Sequence, residues 1–489
     1  MFGHLTLIGR LMSKVLLVHT NASGKVYQSL NSVSQIEPPI WCVMLASNLM
    51  EDYDVEILDA EADSLTPTET VQRIIESDAD LNVFVVYGQQ PSASTQNMAG
   101  VHDVLEIINH KLPTLCVGLY PSAKPEECLR KNKCTYVAKG EGIETIRGLM
   151  SGDAKVPGLY FRLGDKIAHY EDSKMVPQGK LHEAYPYGKD AWELLDMSKY
   201  RTANWHSMTN DNITQPFASI YTSLGCPYKC SFCCINAPFE KHTLRYWEPE
   251  HIIEQLDYFH SIGIKNLKIA DEMFVFRKNH FMKLCELIID RGYDFNIWAY
   301  ARVDTVKEKY LETLKKAGVN WLALGIESGN RKVRQEVTKG KFTELDIKDI
   351  VRKIQSFDIS VVGNFIFGLP EDDFDTMEET YQLAKELKCE WTSFYSSMAY
   401  PGSQLHNMID ENDLPKTYTG YSQHSYDCKP TPTQYLSSAD VLKFRDEAFH
   451  RLYTDKEYVD FLRERFGQGT IDELNKILKH KLKRKLIDG

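Results

Sequence analysis

Short apolar runs alternate with amphipathic stretches through the first 150 residues. "KVLLV" (14–18) is followed by "PPIWCVMLASNLME", and "DVEILDA" (54–60) by "TPTETVQRIIES", with Thr66 or Thr68 as its cap. "LNVFVVYG" (81–88) precedes "STQNMAGVHDVLEIINH", and "PTLCVGLY" (113–120) precedes "KPEECLRKN". "CTYVAKGEG" (134–142) then leads into "IETIRGLMSG". Strands alternating with helices of this length predict a doubly wound parallel sheet covered on both faces. Such sheets bind ligands in the loops beyond the carboxyl ends of their strands. Those loops are small and polar here: "HTNASG", "GQQPSAS", "GLYPSA" and "GEG".

A less regular stretch, 151–215, follows. "VPGLYFRLGDKIAHYED" predicts a small hairpin turning near Gly164-Asp165, and "AYPYGKDAWELLDMSKYRTANWHS" reads as a linker with one helical turn. A second α/β series occupies 216–410, with strands "ASIYTSL", "NLKIADE", "FNIWAYA", "WLALGIES", "VVGNFIFGL" and "WTSFYSSMAY". Amphipathic helices such as "HIIEQLDYFHSIG" and "EKYLETLKKAG" separate them. Six β/α units predict a partial (β/α)6 TIM barrel with chemistry at the carboxyl ends of its strands. The final 411–489 predicts a helical segment that ends in the basic run "KILKHKLKRKLIDG", read as a solvated amphipathic helix. The expected fold is thus α/β. A Rossmann-like doubly wound sheet (1–150) precedes a partial barrel and a C-terminal helical segment.

Composition narrows the class. The 489 residues are 43% hydrophobic and 26% charged, as in a folded protein rather than a disordered one. A net charge of −11 disfavours nucleic acid as a partner. There is no apolar run of membrane-spanning length. Arg10 and Lys14 interrupt the apolar N-terminus, which argues against a signal peptide, so residues 1–12 read as an extension before the first strand. The eleven cysteines are mostly isolated in apolar runs, which suits a reducing cytoplasm better than a disulfide framework. Cys116 and Cys285 read as core thiols.

The stretch "YTSLGCPYKCSFCCI" (221–235) is different: Cys226, Cys230 and Cys233 follow C-x3-C-x2-C, and Cys234 adjoins the last. Thiolates at such spacing bind zinc or an iron–sulfur cluster. Closed zinc sites take four ligands, and no second pair lies nearby. Adjacent Cys233 and Cys234 point apart in an extended segment, so Cys234 is expected behind the loop. Three ligands leave an open corner, the mark of a reactive site. Gly225 and Pro227 suit the sharp exit from the strand.

This motif after the first strand of a six-unit barrel resembles the radical S-adenosylmethionine (SAM) enzymes. The resemblance implies that Cys226, Cys230 and Cys233 hold a [4Fe-4S] cluster whose fourth iron is chelated by SAM, with Phe232 placed to flank a planar ring. "KIADEMF" then places Asp271 and Glu272 near the SAM amino group, and "AYARVD" places Arg302 near its carboxylate or sulfonium. "LALGIESGN" assigns Glu327 and Ser328 to the ribose, and "VVGNFIFGLPED" assigns Gly363 and Gly368 to the adenine. "AYPGSQLH" resembles the usual exit of the sixth strand. Tyr300, Asn364, Tyr395 and Tyr400 are candidates for the barrel mouth, and His424 and Cys428 for a surface loop.

The first 150 residues resemble the cobalamin-binding domain that precedes the barrel in one radical SAM subclass. That implies cobalamin contacts from His19, Thr20 and Asn21, from Gln89, Gln90 and Ser92, from Gly118, Leu119, Tyr120 and Pro121, and from Gly140, Glu141 and Gly142. The spacing of "VHTNASG" does not match an axial-histidine motif, so His19 is not expected to ligate cobalt, and Leu119-Tyr120 replaces an expected glycine. No G-x-G-x-x-G follows the first strand, which disfavours a dinucleotide.

The function implied is a cytoplasmic cobalamin-dependent radical SAM enzyme that transfers a methyl group to an unactivated carbon. Its substrate would be a small molecule, a lipid precursor or a peptide, and its electrons would come from a flavodoxin- or ferredoxin-type donor. Three rivals stand beside it. One is a cyclising, ring-rearranging or oxidising reaction of the same cofactors. Another is tRNA methylthiotransfer, with a second cluster drawn from Cys42, Cys116, Cys128 and Cys134. The third is a non-catalytic iron–sulfur module.

Overall fold

The computed structural model describes residues 13–88, 91–239, 241–338 and 347–488, the side chains of 91 and 92 excepted. The extension expected over 1–12 lies outside the described residues. Two sheets organise the chain. The first contains β1 (Lys14–His19), β2 (Asp54–Asp59), β3 (Leu81–Val86), β4 (Thr114–Gly118), β5 (Tyr136–Ala138), β6 (Leu159–Leu163) and β7 (Lys166–His169). Its order is β2-β1-β3-β4-β5-β6-β7, parallel through β5 and antiparallel beyond.

Each central strand is apolar on both faces because helices cover both. The helix Pro67–Ser77 starts at Thr66, whose hydroxyl accepts from the Glu69 N–H while the Glu69 carboxylate accepts from the Thr66 N–H. The helix Ile40–Leu49 is buried almost all round, since packed chain lies on both sides of it.

The 151–215 stretch departs from the expected linker. Its hairpin, β6–β7, extends the first sheet as an antiparallel edge. The residues after it carry Tyr185, Tyr187, Trp192 and Tyr200, all buried to within 1%. They form a strap whose aromatics fill the space between the two sheets, and one continuous core runs from the first sheet through the strap into the second. A run so rich in aromatics buries too much apolar area to behave as a linker.

The second sheet begins with β8 (Phe217–Ile220). The short pair β9 (Ser223–Leu224) and β10 (Arg245–Tyr246) brackets the cysteine loop. The sheet continues through β11 (Asn266–Ile269), β12 (Asn296–Arg302), β13 (Val319–Glu327), β14 (Ser360–Phe367) and β15 (Trp391–Ser396). Its order β15-β14-β13-β12-β11-β8 is parallel throughout, the open six-stranded barrel that was expected.

The C-terminal helices Ser438–Tyr453, Lys456–Phe466 and Gln468–Leu478 close the β15 side. The basic run after them folds back rather than standing free. Arg484 is 2% exposed; it pairs with Asp446 at 2.8 Å and donates to the carbonyls of Gln423 and Ser425. Among the described residues, no helix is long and apolar enough to cross a membrane.

Candidate functional site

A cavity of about 260 Å³ opens at the carboxyl ends of the barrel strands. The cysteine loop forms one wall. Gly225 starts it at φ +89°, where a Cβ would lie 2.4 Å from the Thr243 carbonyl oxygen, so only glycine fits the bend. Asn236 holds the loop to itself, accepting from the Cys226 N–H at 3.2 Å and donating to the Cys226 carbonyl at 3.0 Å.

Cys226, Cys230 and Cys233 are half-buried and line the cavity, as does Phe232. Cys234 is 2% exposed, is absent from the cavity wall and packs beneath Gly402. Burial pushes the Cys226 thiol up to about 12 and the Cys230 thiol up to about 11. Metal loading must therefore displace protons from the loop.

Two carboxyl groups face the cysteines. Burial raises Glu272 to about 8 against the pull of Lys268, and it raises Glu327 to about 7 against that of Arg302. Glu327 sits at φ +65° beside a register shift at the end of β13, and this irregularity turns its side chain into the cavity. Arg302 lies 3.8 Å over the Tyr228 ring and pairs with Asp304 at 3.0 Å. The opposite wall holds Tyr300, Asn364, Tyr395 and Tyr400, together with Ser396, Ser397 and Gln423. The hydroxyls of Ser396 and Ser397 are buried without a hydrogen-bond partner.

Other expected SAM contacts stand elsewhere. Asp271 is 1% exposed and off the cavity wall; it accepts from the backbone and hydroxyl groups of both Thr222 and Ser223 at 2.6–3.1 Å. It pins the strand that launches the cysteine loop. Ser328 is fully buried; its hydroxyl meets Thr380 at 3.2 Å and accepts from the Asn330 N–H. Gly363 leaves room for Cys389 and Phe365, and Gly368, at φ +78°, leaves room for Val441 of the C-terminal helix. Both glycines serve packing of strand against neighbour, which the pattern alone cannot distinguish from an approach to ligand.

A second, smaller cavity of about 110 Å³ lies at the carboxyl ends of β1 and β3. His19 lines it together with Glu37, Trp41, Glu61, Tyr87 and Gln96. The ring Nδ1 of His19 lies 3.1 Å from Asp59, whose other oxygen accepts from Tyr200 at 3.0 Å. Burial opposes charge on this imidazole, but Asp59 and Glu61 outweigh it and raise His19 to about 9.

Thr20 packs close to Gly100, and Asn21 closes a turn by accepting from Ser23 and donating to the Leu65 carbonyl. Gln89 and Gln90, and the Ser92 side chain, lie outside the described residues. Gly118, at φ +145°, is required by the close approach of β3, where a Cβ would lie 2.2 Å from the Val86 carbonyl oxygen. Leu119, Tyr120 and Pro121 are buried in the short helix Leu119–Ala123, and Tyr120 meets Tyr418 edge-on rather than the cavity. Gly140 and Gly142 make room for Ser173 and Val117. Glu141 is locked 2.8 Å from Arg245 on β10, which ties the first domain to the cysteine loop.

The two cavities are neighbours. Glu37 of the smaller one pairs at 2.8 Å with Lys268, a fully buried side chain of β11. The same ammonium lies 5.8 Å from the ring of Tyr300, which lines the larger cavity. Residues of the C-terminal segment also reach the larger cavity. Gln423 bonds both backbone groups of Ser396 at 2.9 Å and closes the β15 end. Nothing in the local pattern around Gln423 marks it for that place. His424 and Cys428 do not line the cavity, and Cys428 is fully buried rather than part of a surface loop.

Comparison with known proteins agrees with this geometry. Residues 220–384 match the radical SAM superfamily, and residues 29–150 match the B12 binding domain. The chain is 28% identical over 409 residues to an uncharacterised methyltransferase of Pyrococcus horikoshii, covering 82% of this chain and 84% of that one. It is 24% identical over 383 residues to the anaerobic magnesium-protoporphyrin IX monomethyl ester cyclase of Synechocystis sp., covering 73% and 72%. In fold it is similar to the radical SAM methyltransferase TsrM of Kitasatospora setae, solved with cobalamin and a [4Fe-4S] cluster bound. That match has a TM-score of 0.64 and 18% identity, over 83% of this chain and 76% of that one. The chain therefore carries a radical SAM domain behind a B12 binding domain.

Proposed function

We propose that this protein is a cobalamin-dependent radical SAM methyltransferase that acts on an unactivated carbon of a small-molecule substrate. The observation that supports it most is one cavity walled by three thiols, two desolvated carboxyl groups and an arginine, next to a second cavity in the B12 binding domain. Three thiols, with no fourth on that wall among the described residues, fit a cluster with one iron left for SAM. When bound, the cluster and SAM supply a 5′-deoxyadenosyl radical, and cobalamin supplies the methyl group.

The chain's own part is positioning and exclusion of water. Cys226, Cys230 and Cys233 would hold the cluster, and the Asn236 and Gly225 contacts fix their loop. Glu272 and Glu327, on the cavity wall, would meet the cationic and hydroxyl groups of SAM, and Arg302 its carboxylate. Tyr300, Asn364, Tyr395 and Tyr400 orient the substrate beneath Gln423, with the Ser396 and Ser397 hydroxyls available to it. In the B12 domain His19 lines the smaller cavity and is held there by Asp59, where it would contact the cofactor. An external reductant supplies the electrons.

The test is anaerobic reconstitution with iron, sulfide and cobalamin, followed by reduction with SAM. The reading expects a cobalamin spectrum and formation of 5′-deoxyadenosine, with S-adenosylhomocysteine once substrate is supplied. Absence of SAM cleavage would reduce the protein to an iron–sulfur module. A cofactor-loaded protein that yields 5′-deoxyadenosine and product but no S-adenosylhomocysteine would favour a cyclase-type reaction, as in the Synechocystis relative's name.

A further inference from the structure

A second group of three cysteines lies outside this site. Cys116 is in the middle of β4, Cys128 is in the helix Pro125–Lys131, and Cys134 lies just before β5. Each is fully buried and none forms a disulfide. Their Sγ atoms all lie within 4.8 Å of one another, the one cysteine group among the described residues packed so closely. Cys116 was expected to be a lone core thiol, and the fold makes it one corner of a triangle.

The size of the triangle bears on what fits inside it. Zinc–thiolate bonds of about 2.3 Å put two sulfurs of one tetrahedral ion about 3.8 Å apart, and those of a trigonal ion about 4.0 Å apart. The triangle is already close to that scale. Ligands of an iron–sulfur cube bind different irons and stand farther apart, so the triangle suits one ion rather than a second cluster.

Its surroundings are those of a thiolate site. The Asn132 amide lies 3.8 Å from Cys128 Sγ as a donor. That amide is itself fixed by the Cys128 carbonyl at 2.8 Å, by the Tyr418 hydroxyl at 2.9 Å and by His102 at 3.1 Å. Arg162, on β6, donates from Nη2 to the carbonyls of Leu129 and Asn132, which brings its charge onto the segment between Cys128 and Cys134. Its Nη1 is buried without a hydrogen-bond partner. Three thiolates with one divalent ion carry a charge of −1, and the guanidinium balances it. Without that balance, a charge in this core would be costly.

We propose that Cys116, Cys128 and Cys134 form a buried structural site for one thiophilic divalent cation of the zinc type. Binding replaces three S–H bonds with three metal–sulfur bonds and releases three protons, with no change of oxidation state. The ion staples the helix Pro125–Lys131 and the entry to β5 onto β4. That stiffens the segment leading to Glu141, whose pairing with Arg245 reaches the cysteine loop. All three thiols are fully buried, so the ion's fourth position opens on packed core rather than on a substrate, and its role is structural rather than chemical.

The test separates the two cysteine groups in the full-length chain. Cys226, Cys230 and Cys233 are replaced by alanine, and the protein is produced in zinc-supplemented medium, purified anaerobically and freed of loose metal. Elemental analysis should find one zinc per chain and negligible iron. Adding C134A should lower the zinc at least tenfold, while adding C285A, at a buried cysteine elsewhere, should leave it unchanged. Zinc K-edge absorption should show a sulfur-dominated shell. If the loop variant does not fold, zinc is counted in the reconstituted wild-type protein beside the iron. Background zinc in the loop variant, with all eight of its remaining thiols titrating free on denaturation, would overturn the site. So would a disulfide between two of the three, or four irons bound there in place of zinc.

Discussion

Two cysteine trios use the same residue type for opposite ends. Cys226, Cys230 and Cys233 come from one short loop, are half-buried and stand around a cavity. Cys116, Cys128 and Cys134 come from a strand, a helix and a turn, and they are fully buried in a triangle under 4.8 Å across. The first opens on the cavity, and the second is sealed in packed core. What distinguishes them is access: an open coordination position permits chemistry, whereas a sealed one offers only stability.

Replacing one loop cysteine should show the contrast at its largest. Cys230→Ser should cut SAM cleavage by about 10³-fold or more and strip the iron, since it removes a ligand of the cofactor that does the chemistry. Cys116→Ser should leave both nearly intact, as measured by 5′-deoxyadenosine release and iron content. Equal loss from the two variants would erase the distinction.

The next effect concerns what the open trio faces. Glu272→Gln should raise the KM for SAM by about 10–100-fold, the worth of one charge-assisted hydrogen bond. Burial raises Glu272 to about 8, so its carboxyl is protonated at lower pH and only the carboxylate attracts a cation. SAM affinity should therefore strengthen as pH rises to about 8 and then level off, and the Gln variant should flatten the profile. The linked stability effect has the reverse sign. This folded pKa lies above the ordinary value of about 4.3, so the cofactor-free protein should lose stability as pH rises between the two.

The enclosed trio should respond in stability alone. Cys134→Ala should cost about 2–3 kcal/mol and lower the Tm by several degrees, while SAM cleavage per folded molecule stays within about twofold. Smallest of all should be Cys234→Ala. Cys234 packs under Gly402 behind the loop, so its loss should cost about 1 kcal/mol and leave the iron count unchanged.

Much of the site could be read from the chain because its ligands are local. The loop spacing, the alternation of strands and helices, and acidic or basic residues at strand ends are all short-range patterns. They placed Glu272, Arg302 and Glu327 on the cavity wall with the three cysteines. Glycines are ambiguous, because close packing and ligand approach leave the same trace. Gly118, Gly363 and Gly368 make room for Val86, Cys389 and Val441. Asp271 and Glu272 are neighbours of equal promise in sequence, but strand alternation sends one to Thr222 and Ser223 and the other to the cavity. The 151–215 stretch read as a linker because its helices are single turns, and only its buried aromatics reveal a strap.

By itself the sequence determined the two α/β units, their order and the open trio, because periodicity and C-x3-C-x2-C spacing act within a few residues. The tertiary structure decided which acids face the cysteines, that Gln423 closes the mouth, that Glu37 and Lys268 join the two cavities, and that Cys116, Cys128 and Cys134 meet. The cysteine trio lies within 18 residues, and the other contacts span tens to hundreds. They exist only once burial of two sheets and a strap into one continuous core has brought distant segments together.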